Sequence, residues 1–497
     1  MRPGTFPRWL PVVLVVCFAA CVPEQSVQTV VPIATPTPTA GTAFAPTPLP
    51  TRFPLVPGQI MEYPAQSGDT LEGVAAHFNT TVAEIREANP DLPRKVTTLM
   101  PGVIYRVPSY FAPFSGTPFQ MLPDSEVVGG PSVSGFSVRD AVMERKGWLS
   151  KYREFAFDHS YSGWELVQVI ARDYSLNPRL LLALLEYRSQ ALTQDDPQGT
   201  LTQYPLGATD EIYPGVAQQL SWAARILNDG YYGWRDGSLR VIELTDDRIT
   251  RPDSWQNAGT VAVQYLLAQW FDQKAFDVAV SPDGFIQTYR DLIGDPFADA
   301  RELIPGNVEQ PALQLPFDQG YIWAYTGGPH PVWGDGLPWA AIDFAPPKIS
   351  TRCIDTDVWV AAMADGVVAR SEPALVILDL DGDGDERTGW TILYYHLADT
   401  GRAAKGTRVK AGGHIGHPSC EGGRSTDTHV HVARRLNGEW IPAAGPLAFD
   451  LSNWIVGAGL DPYDGTLSYF LDTVLQACPC ENAFNKISFF PVRTHMP

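Results

Sequence analysis

The sequence predicts a multidomain α+β chain: a small βααβ module, an all-α middle unit and an antiparallel all-β domain, in that order. Three observations predict it. Sustained helical spacing of apolar residues is confined to about residues 137–300. Strand-like runs and alternation return from about residue 315. Pro-, Gly- and Ser-rich stretches set these regions apart from one another and from the N-terminus. A chain of 497 residues has room for about three domains of roughly 150 residues each.

Composition narrows the function classes. Charged residues are only 18% of the chain, yet the formal net charge is -19. An acidic surface excludes nucleic acid as a partner, because nucleic-acid binding needs basic patches. At the N-terminus, Arg2 and Arg8 precede a short apolar run, Leu10 to Ala20, too brief to span a bilayer. It ends in Phe18-Ala19-Ala20-Cys21, which resembles a bacterial lipobox with Phe in place of the usual Leu. The expectation is a lipoprotein signal peptide over 1–20 and lipidation of Cys21. The Pro/Thr-rich segment 21–60 then serves as a semi-rigid spacer from the membrane. That places the protein outside the cytoplasm, anchored to the membrane or envelope through lipid.

Residues 61–109 read as strand, helix, helix, strand. Gly68-Asp69-Thr70-Leu71 opens the first helix, Thr81 and Ile85 mark the second, and Gly102 to Pro108 forms the closing strand. Over its whole length the segment resembles the LysM module, which binds N-acetylglucosamine-containing glycans such as peptidoglycan. The resemblance implies a glycan groove between two loops, here Gly68, Asp69, Thr70 and Leu71 with the Leu99-to-Gly102 region.

A linker over 110–136 leads into the helical unit at 137–300. There Leu176-Asn177-Pro178 ends one helix and opens the next, and the unit is expected to have its own core. The stretch from Ala171 to Leu185, with Gly215 to Leu220 and Asn257 to Thr260, resembles the lysozyme-like transglycosylases. In that family a glutamate acts as general acid where this chain has Arg188, which cannot donate a proton at neutral pH. Glu186, two positions earlier, faces elsewhere on a helix. A non-catalytic glycan-binding or spacing unit is expected, with Tyr231-Tyr232-Gly233-Trp234 serving mainly as core.

The domain at 315–497 carries the chemistry. Six of nine histidines lie between His330 and His431. In Thr428-His429-Val430-His431-Val432 the alternation of a strand sends both imidazoles to one face and the valines to the other. Val358 to Ala369 reads as a hairpin turning at Met363-Ala364-Asp365. Gly327-Gly328-Pro329-His330, Ala341-Ile342-Asp343-Phe344-Ala345, Tyr394-Tyr395-His396-Leu397 and Thr428-His429-Val430-His431 together resemble the lysostaphin/LytM-type zinc metallopeptidases, which act on peptidoglycan. The resemblance implies Zn²⁺ on His330, Asp343 and His431, with His429 and His396 as catalytic partners. Twelve residues separate His330 from Asp343 where the family usually has three, and the insertion contains a rival ligand, Asp335. Asp343 is preferred, because its apolar strand makes an unsatisfied carboxylate costly. His414 and His417 are read as loop residues.

Two further features are weaker. Asp379, Asp381 and Asp383 resemble the start of a calcium loop, but Trp390 stands where an EF-hand has its bidentate Glu. Beyond Cys21, Cys353, Cys420, Cys478 and Cys480 allow three pairings; a Cys353–Cys420 bridge could pin a loop near the site, whereas Cys478 and Cys480 stand too close in sequence for an easy mutual bridge, which leaves crossed pairing open.

Overall fold

A computed structural model describes residues 49, 56–111, 117, 119–157, 159–210, 212–347, 353–470 and 472–490. The expected signal peptide, Cys21 and almost all of the Pro/Thr-rich spacer lie outside the described residues. Among those described, no helix is long and apolar enough to cross a membrane.

The N-terminal module is built as its caps dictate. Strand β1 (Gln59–Pro64) pairs antiparallel with β2 (Ile104–Ser109). Helix α1 (Leu71–Phe78) starts on Thr70, whose hydroxyl accepts from the Gly73 amide. Helix α2 (Val82–Ala88) starts on a reciprocal Thr81/Glu84 capping box, the arrangement that satisfies two otherwise orphaned amides.

The middle unit is helical but not wholly so. A hairpin of β3 (Arg153–Ala156) and β4 (His159–Ser162) and a two-residue ladder at Ile242–Glu243 and Ile249–Thr250 correct the all-α expectation. Its main helices are α3 (Gly163–Asp173), α4 (Pro178–Ser189), α5 (Gly215–Asp236) and α6 (Ala258–Ala268). Asn177 caps α4 ahead of Pro178, as the sequence indicates. The segment expected as a linker is instead packed: Met121, Leu122 and Val127 are fully buried, and the Asn257 side chain donates to the Asp124 carboxylate at 2.6 Å.

The C-terminal domain centres on a nine-stranded antiparallel sheet. Its main strands are β5 (Trp323–Pro331), β6 (Trp339–Ala345), β7 (Gly366–Glu372), β8 (Ala374–Asp379), β9 (Trp390–Leu397) and β10 (Val430–Leu436). Across the sheet they run β7-β8-β9-β10-β6-β5, with the short strands Arg408–Val409 and Lys486–Ile487 at its two edges. A four-stranded sheet from Asp450 to Gln476 packs beside it. The hairpin expected over 358–369 does not form. Val360–Ala361 pairs with His414–Gly416, while β7 pairs with β8 and Arg408–Val409.

The helical unit does not have its own core. Ala341, Leu375, Ile377, Leu393 and Ala433, on one face of the large sheet, belong to the same buried cluster as α3 to α6. The other face, with Ile342, Val376, Tyr394, Val430 and Val432, forms a second core. An antiparallel sheet buried on both faces reads as near-continuous apolar runs, as β8 and β9 do. Ion pairs reinforce the contact: Arg370 reaches Asp173 at 2.9 Å and Glu386 at 3.0 Å, and Arg172 reaches Glu372 at 2.7 Å.

Three units meet at Arg235, near the end of α5. Its guanidinium donates to Glu439 of the β domain at 3.1 Å, to Asp124 at 2.8 Å and to the Ser67 carbonyl of the N-terminal module. Close by, His77 stacks on Trp234 with ring centroids 3.7 Å apart and donates Nε2–H to its carbonyl. Burial pulls His77 from its ordinary 6.5 down to about 4. A group more easily protonated in the unfolded chain stabilises the fold fully above pH 6.5 and loses that contribution as pH falls towards 4, about 3 kcal/mol in all. Urea unfolding of the chain should therefore weaken on acidification through this window by about that much more than unfolding of His77→Gln. A pH-independent gap between the two would remove His77 as the source.

Candidate metal centre

Adjacent strands assemble the site. His431 on β10 lies opposite Asp343 on β6, and Asp343 in turn lies opposite Gly327 on β5. Bulges in β5 bring His330 opposite Ala341, two residues along the ladder from Asp343. Register, rather than sequence distance, thus closes the twelve-residue gap. The inserted residues form the end of the β5–β6 hairpin, which leans on the helical unit, where the Leu337 amide donates to Asp229 of α5 at 2.8 Å, and on β9, where Trp333 meets Tyr395 edge-on. Asp335 lies exposed in that turn and outside the cluster.

The ligand-type atoms converge closely. His330 Nε2 lies 3.0 Å from His431 Nδ1 and 3.4 Å from Asp343 Oδ1, and His431 Nδ1 lies 3.2 Å from Asp343 Oδ1. Tetrahedral zinc with bonds of 2.0–2.1 Å separates its ligand atoms by about 3.3 Å. All three residues are buried, and Asp343 Oδ1 lacks a hydrogen-bond partner among the described residues. A buried carboxylate oxygen left so is costly unless a cation satisfies it. The donor set therefore fits zinc. Burial pushes the Asp343 carboxyl up, but the His330 and His429 rings outweigh this and hold it well below the usual carboxylate range.

The remaining histidines divide. His429 precedes β10, bridged to Ser419, with Nε2 3.9 Å from Asp343 Oδ1 and Nδ1 2.9 Å from the Asp427 carbonyl. His396 ends β9 in left-handed backbone (φ 59°), its Nδ1 2.9 Å from the Glu421 carbonyl. Its ring centroid is 4.6 Å from that of His429. Burial and the neighbouring His429 and His431 pull His396 down to about 3. Nδ1–H donation to a carbonyl leaves Nε2 of each ring as the lone-pair nitrogen. His414 and His417 stand apart, both against Trp359.

Several supporting residues escaped the sequence reading. Tyr463 stacks on His330 at 4.1 Å. A Cβ on Gly327 would come within 2.4 Å of Asp343 Oδ2; the Gly-Gly pair before Pro329-His330 is the signal that marks this close approach. Gly327→Ala is expected to displace the carboxylate and weaken zinc 10- to 100-fold, the usual effect of disturbing what orients a ligand. Competition against a zinc-chelating dye measures it, and unchanged affinity would show that the site absorbs the methyl. Cys353 bridges Cys420, next to the Glu421 carbonyl that holds His396, while Cys478 pairs with Cys480. That second pairing corrects the expectation that the two stand too close in sequence for a mutual bridge: their Cα atoms lie 5.1 Å apart, within the range of a disulfide, and the crossed alternative is closed.

The other expected sites fare differently. Of the residues assigned to glycan, Leu71 is core, Thr70 caps α1, Asp69 is buried and accepts from Tyr63 at 2.6 Å, and Gly68 lies against Arg235. Glu186 accepts from the Leu192 amide and the Thr193 hydroxyl, holding the turn after α4. Tyr231, Tyr232 and Trp234 are buried core. Asp379, Asp381 and Asp383 offer carboxylate oxygens within 4.8 Å of one another.

Residues 120–307 match the LasA N-terminal domain model and residues 63–102 match the LysM domain model. The chain is 26% identical to protease LasA of Pseudomonas aeruginosa over 309 residues, 59% of this chain and 69% of that one. It is 28% identical over 166 residues to beta-lytic metalloendopeptidase of Achromobacter lyticus, 32% of this chain and 41% of that one. Among solved structures, the M23 metalloprotease pseudoalterin from the deep sea shows 25% identity and a TM-score of 0.28 over 34% of this chain and 96% of its own. The lysostaphin catalytic domain of Staphylococcus simulans shows 24% identity and a TM-score of 0.19 over 25% of this chain and 89% of its own. The match over 120–307 spans the helical unit together with the packed segment before it.

Proposed function

We propose that this chain, a relative of the LasA-type metallopeptidases bearing a LysM domain, is a zinc endopeptidase that cuts peptide bonds in peptidoglycan. The observation that carries the reading is the tetrahedral-edge spacing of His330, Asp343 and His431. Zinc held there supplies Lewis acidity, making water a nucleophile near neutral pH and polarising the substrate carbonyl. The protein's own residues do the rest. Asp343 and His330 are fixed by the β5–β6 ladder, and the Gly328 carbonyl accepts from His330 Nδ1 at 2.7 Å, which orients the ring with Nε2 inward. His429 Nε2 takes the proton of the attacking water, and His396 beside it shares that proton work or stabilises the developing oxyanion.

The LysM domain docks the enzyme on glycan, and lipidation at Cys21 holds it outside the cytoplasm at the membrane. The LasA-type helical unit braces the sheet without catalysing, since Glu186 holds the turn after α4 and Arg188 cannot donate a proton at neutral pH. Ca²⁺ is the ion that the carboxylates of Asp379, Asp381 and Asp383 would take, although backbone amides of Gly382 and Gly384 already engage Asp379.

The test is zinc content together with digestion of purified peptidoglycan. One zinc per chain, new amino termini without new reducing ends, loss on chelation and recovery on adding zinc are expected. Wall binding with no new amino termini would leave a non-catalytic scaffold as the better reading.

A further inference from the structure

The two loops of the LysM domain that the resemblance assigns to glycan are not open. The connection between the helical unit and the β domain, residues 303–308, lies across both. At the first loop, the Ser67 hydroxyl donates to the Ile304 carbonyl at 3.0 Å and accepts from the Leu303 and Ile304 amides at 3.1 and 2.9 Å. At the second, the Thr97 and Thr98 hydroxyls donate to the Val308 and Pro305 carbonyls at 2.6 and 2.8 Å. The Asn307 amide donates to the Thr98 carbonyl at 2.8 Å, and the Val308 amide to the Thr98 hydroxyl at 3.1 Å. The loops are themselves joined by the Leu99 amide on the Asp69 carbonyl at 2.8 Å, so the strap lies over one continuous polar surface.

The chemistry of this contact is that of a ligand. Residues 303–308 carry no ionised side chain and meet the loops through peptide N–H and C=O groups. An N-acetylhexosamine presents the same pair on its acetamido group. Leu303, Ile304 and Val308 bury their side chains, while the strap's grip on the LysM loops is by hydrogen bonds of ordinary net strength, each on the order of 1 kcal/mol, which a ligand offering equivalent groups can replace. Gly306 shows how tightly it lies: a Cβ there would meet Met100 Sδ at 2.3 Å and Met100 Cα at 2.6 Å.

We propose that residues 303–308 are a built-in competitor for the LysM groove, so that glycan binding and the strapped arrangement exclude one another. The inference rests on the reading that this domain docks on glycan. Wall glycan then displaces the strap, and docking on the wall changes the joint that leads into the β domain. The apparent affinity of the strapped chain is lowered by the fraction of molecules in which the groove is free.

Calorimetric titration of the full chain with a soluble N-acetylglucosamine oligomer tests this. Two variants open the strap without touching the LysM domain: Gly306→Arg, through the clash with Met100, and Asn307→Pro. The latter removes the amide donated to Thr98 and cannot adopt the Asn307 φ of 48°. Both are expected to bind the oligomer at least tenfold more tightly than the unsubstituted chain. In the unsubstituted chain, saturating oligomer should speed hydrogen exchange at the Asn307 and Val308 amides. Equal affinities with those amides still protected in the complex would overturn the competitor role while keeping glycan binding. No binding by the chain or by either folded variant would overturn the glycan reading, and the inference with it.

Discussion

His431→Ala is expected to empty the metal centre and abolish release of peptide from peptidoglycan. Apparent zinc binding free energies of about 10–16 kcal/mol for four-ligand sites make one ligand worth roughly 3 kcal/mol, a factor of about 10² in affinity. Here the loss should be at least that, because the remaining pair includes a buried carboxylate that no longer has its imidazole neighbour at 3.2 Å. The fold should survive. Val430 and Val432, on the opposite side of β10, are fully buried and keep the strand in place. Asp343→Asn should behave as His431→Ala does, and Asp335→Asn as the unsubstituted chain. Zinc stoichiometry and amino-terminus release measured on all three decide the ligand set. Retained zinc in Asp343→Asn with loss in Asp335→Asn would reverse the assignment of the carboxylate.

His396→Ala should separate chemistry from metal binding. Its ring offers Nε2 to the site but contributes no atom to the converging triad. Zinc should stay at full stoichiometry while kcat falls roughly 10²- to 10³-fold, the scale for loss of one transition-state-stabilising group, with KM little changed. His429→Ala should fall by a similar factor as the proton acceptor, roughly 10²- to 10⁴-fold. Because the rings are neighbours acting on one proton, the double variant should cost much less than the product of the two. Zinc lost from His396→Ala would make that residue a ligand and sink the role given to it.

The sequence revealed the parts of this site that depend on local geometry. His429 and His431 could be placed on one face because strand alternation is a two-residue rule, and Val430 and Val432 indeed point into the core. The caps at Thr70, Thr81 and Asn177 were readable for the same reason. What the sequence concealed is register. The bulges that set His330 two places from its partner lie between Tyr325 and Pro331, where the Gly327-Gly328 pair is the one hint of them and fixes no register. The helical unit's position was missed although a signal was present: Leu375 to Leu378 and Ile392 to Tyr394 are apolar on both faces, which a sheet open to water on one side would not be. The strap at 303–308 left no mark, since it meets the LysM loops through its backbone.

The joint at Arg235 has a consequence for how the three units find one another. A guanidinium and two carboxylates, with side chains at most a tenth exposed, contribute little net cohesion, because desolvation offsets most of their attraction. Misplacing them is another matter. Stranding one such charge without its partner costs about 3–5 kcal/mol. A LysM domain docked one helical turn away, or a β domain rotated on the helices, would incur that cost even with comparable apolar contact. Arg235 thus works less as glue than as a key cut for a single lock: it discriminates against near-miss assemblies of the same three parts.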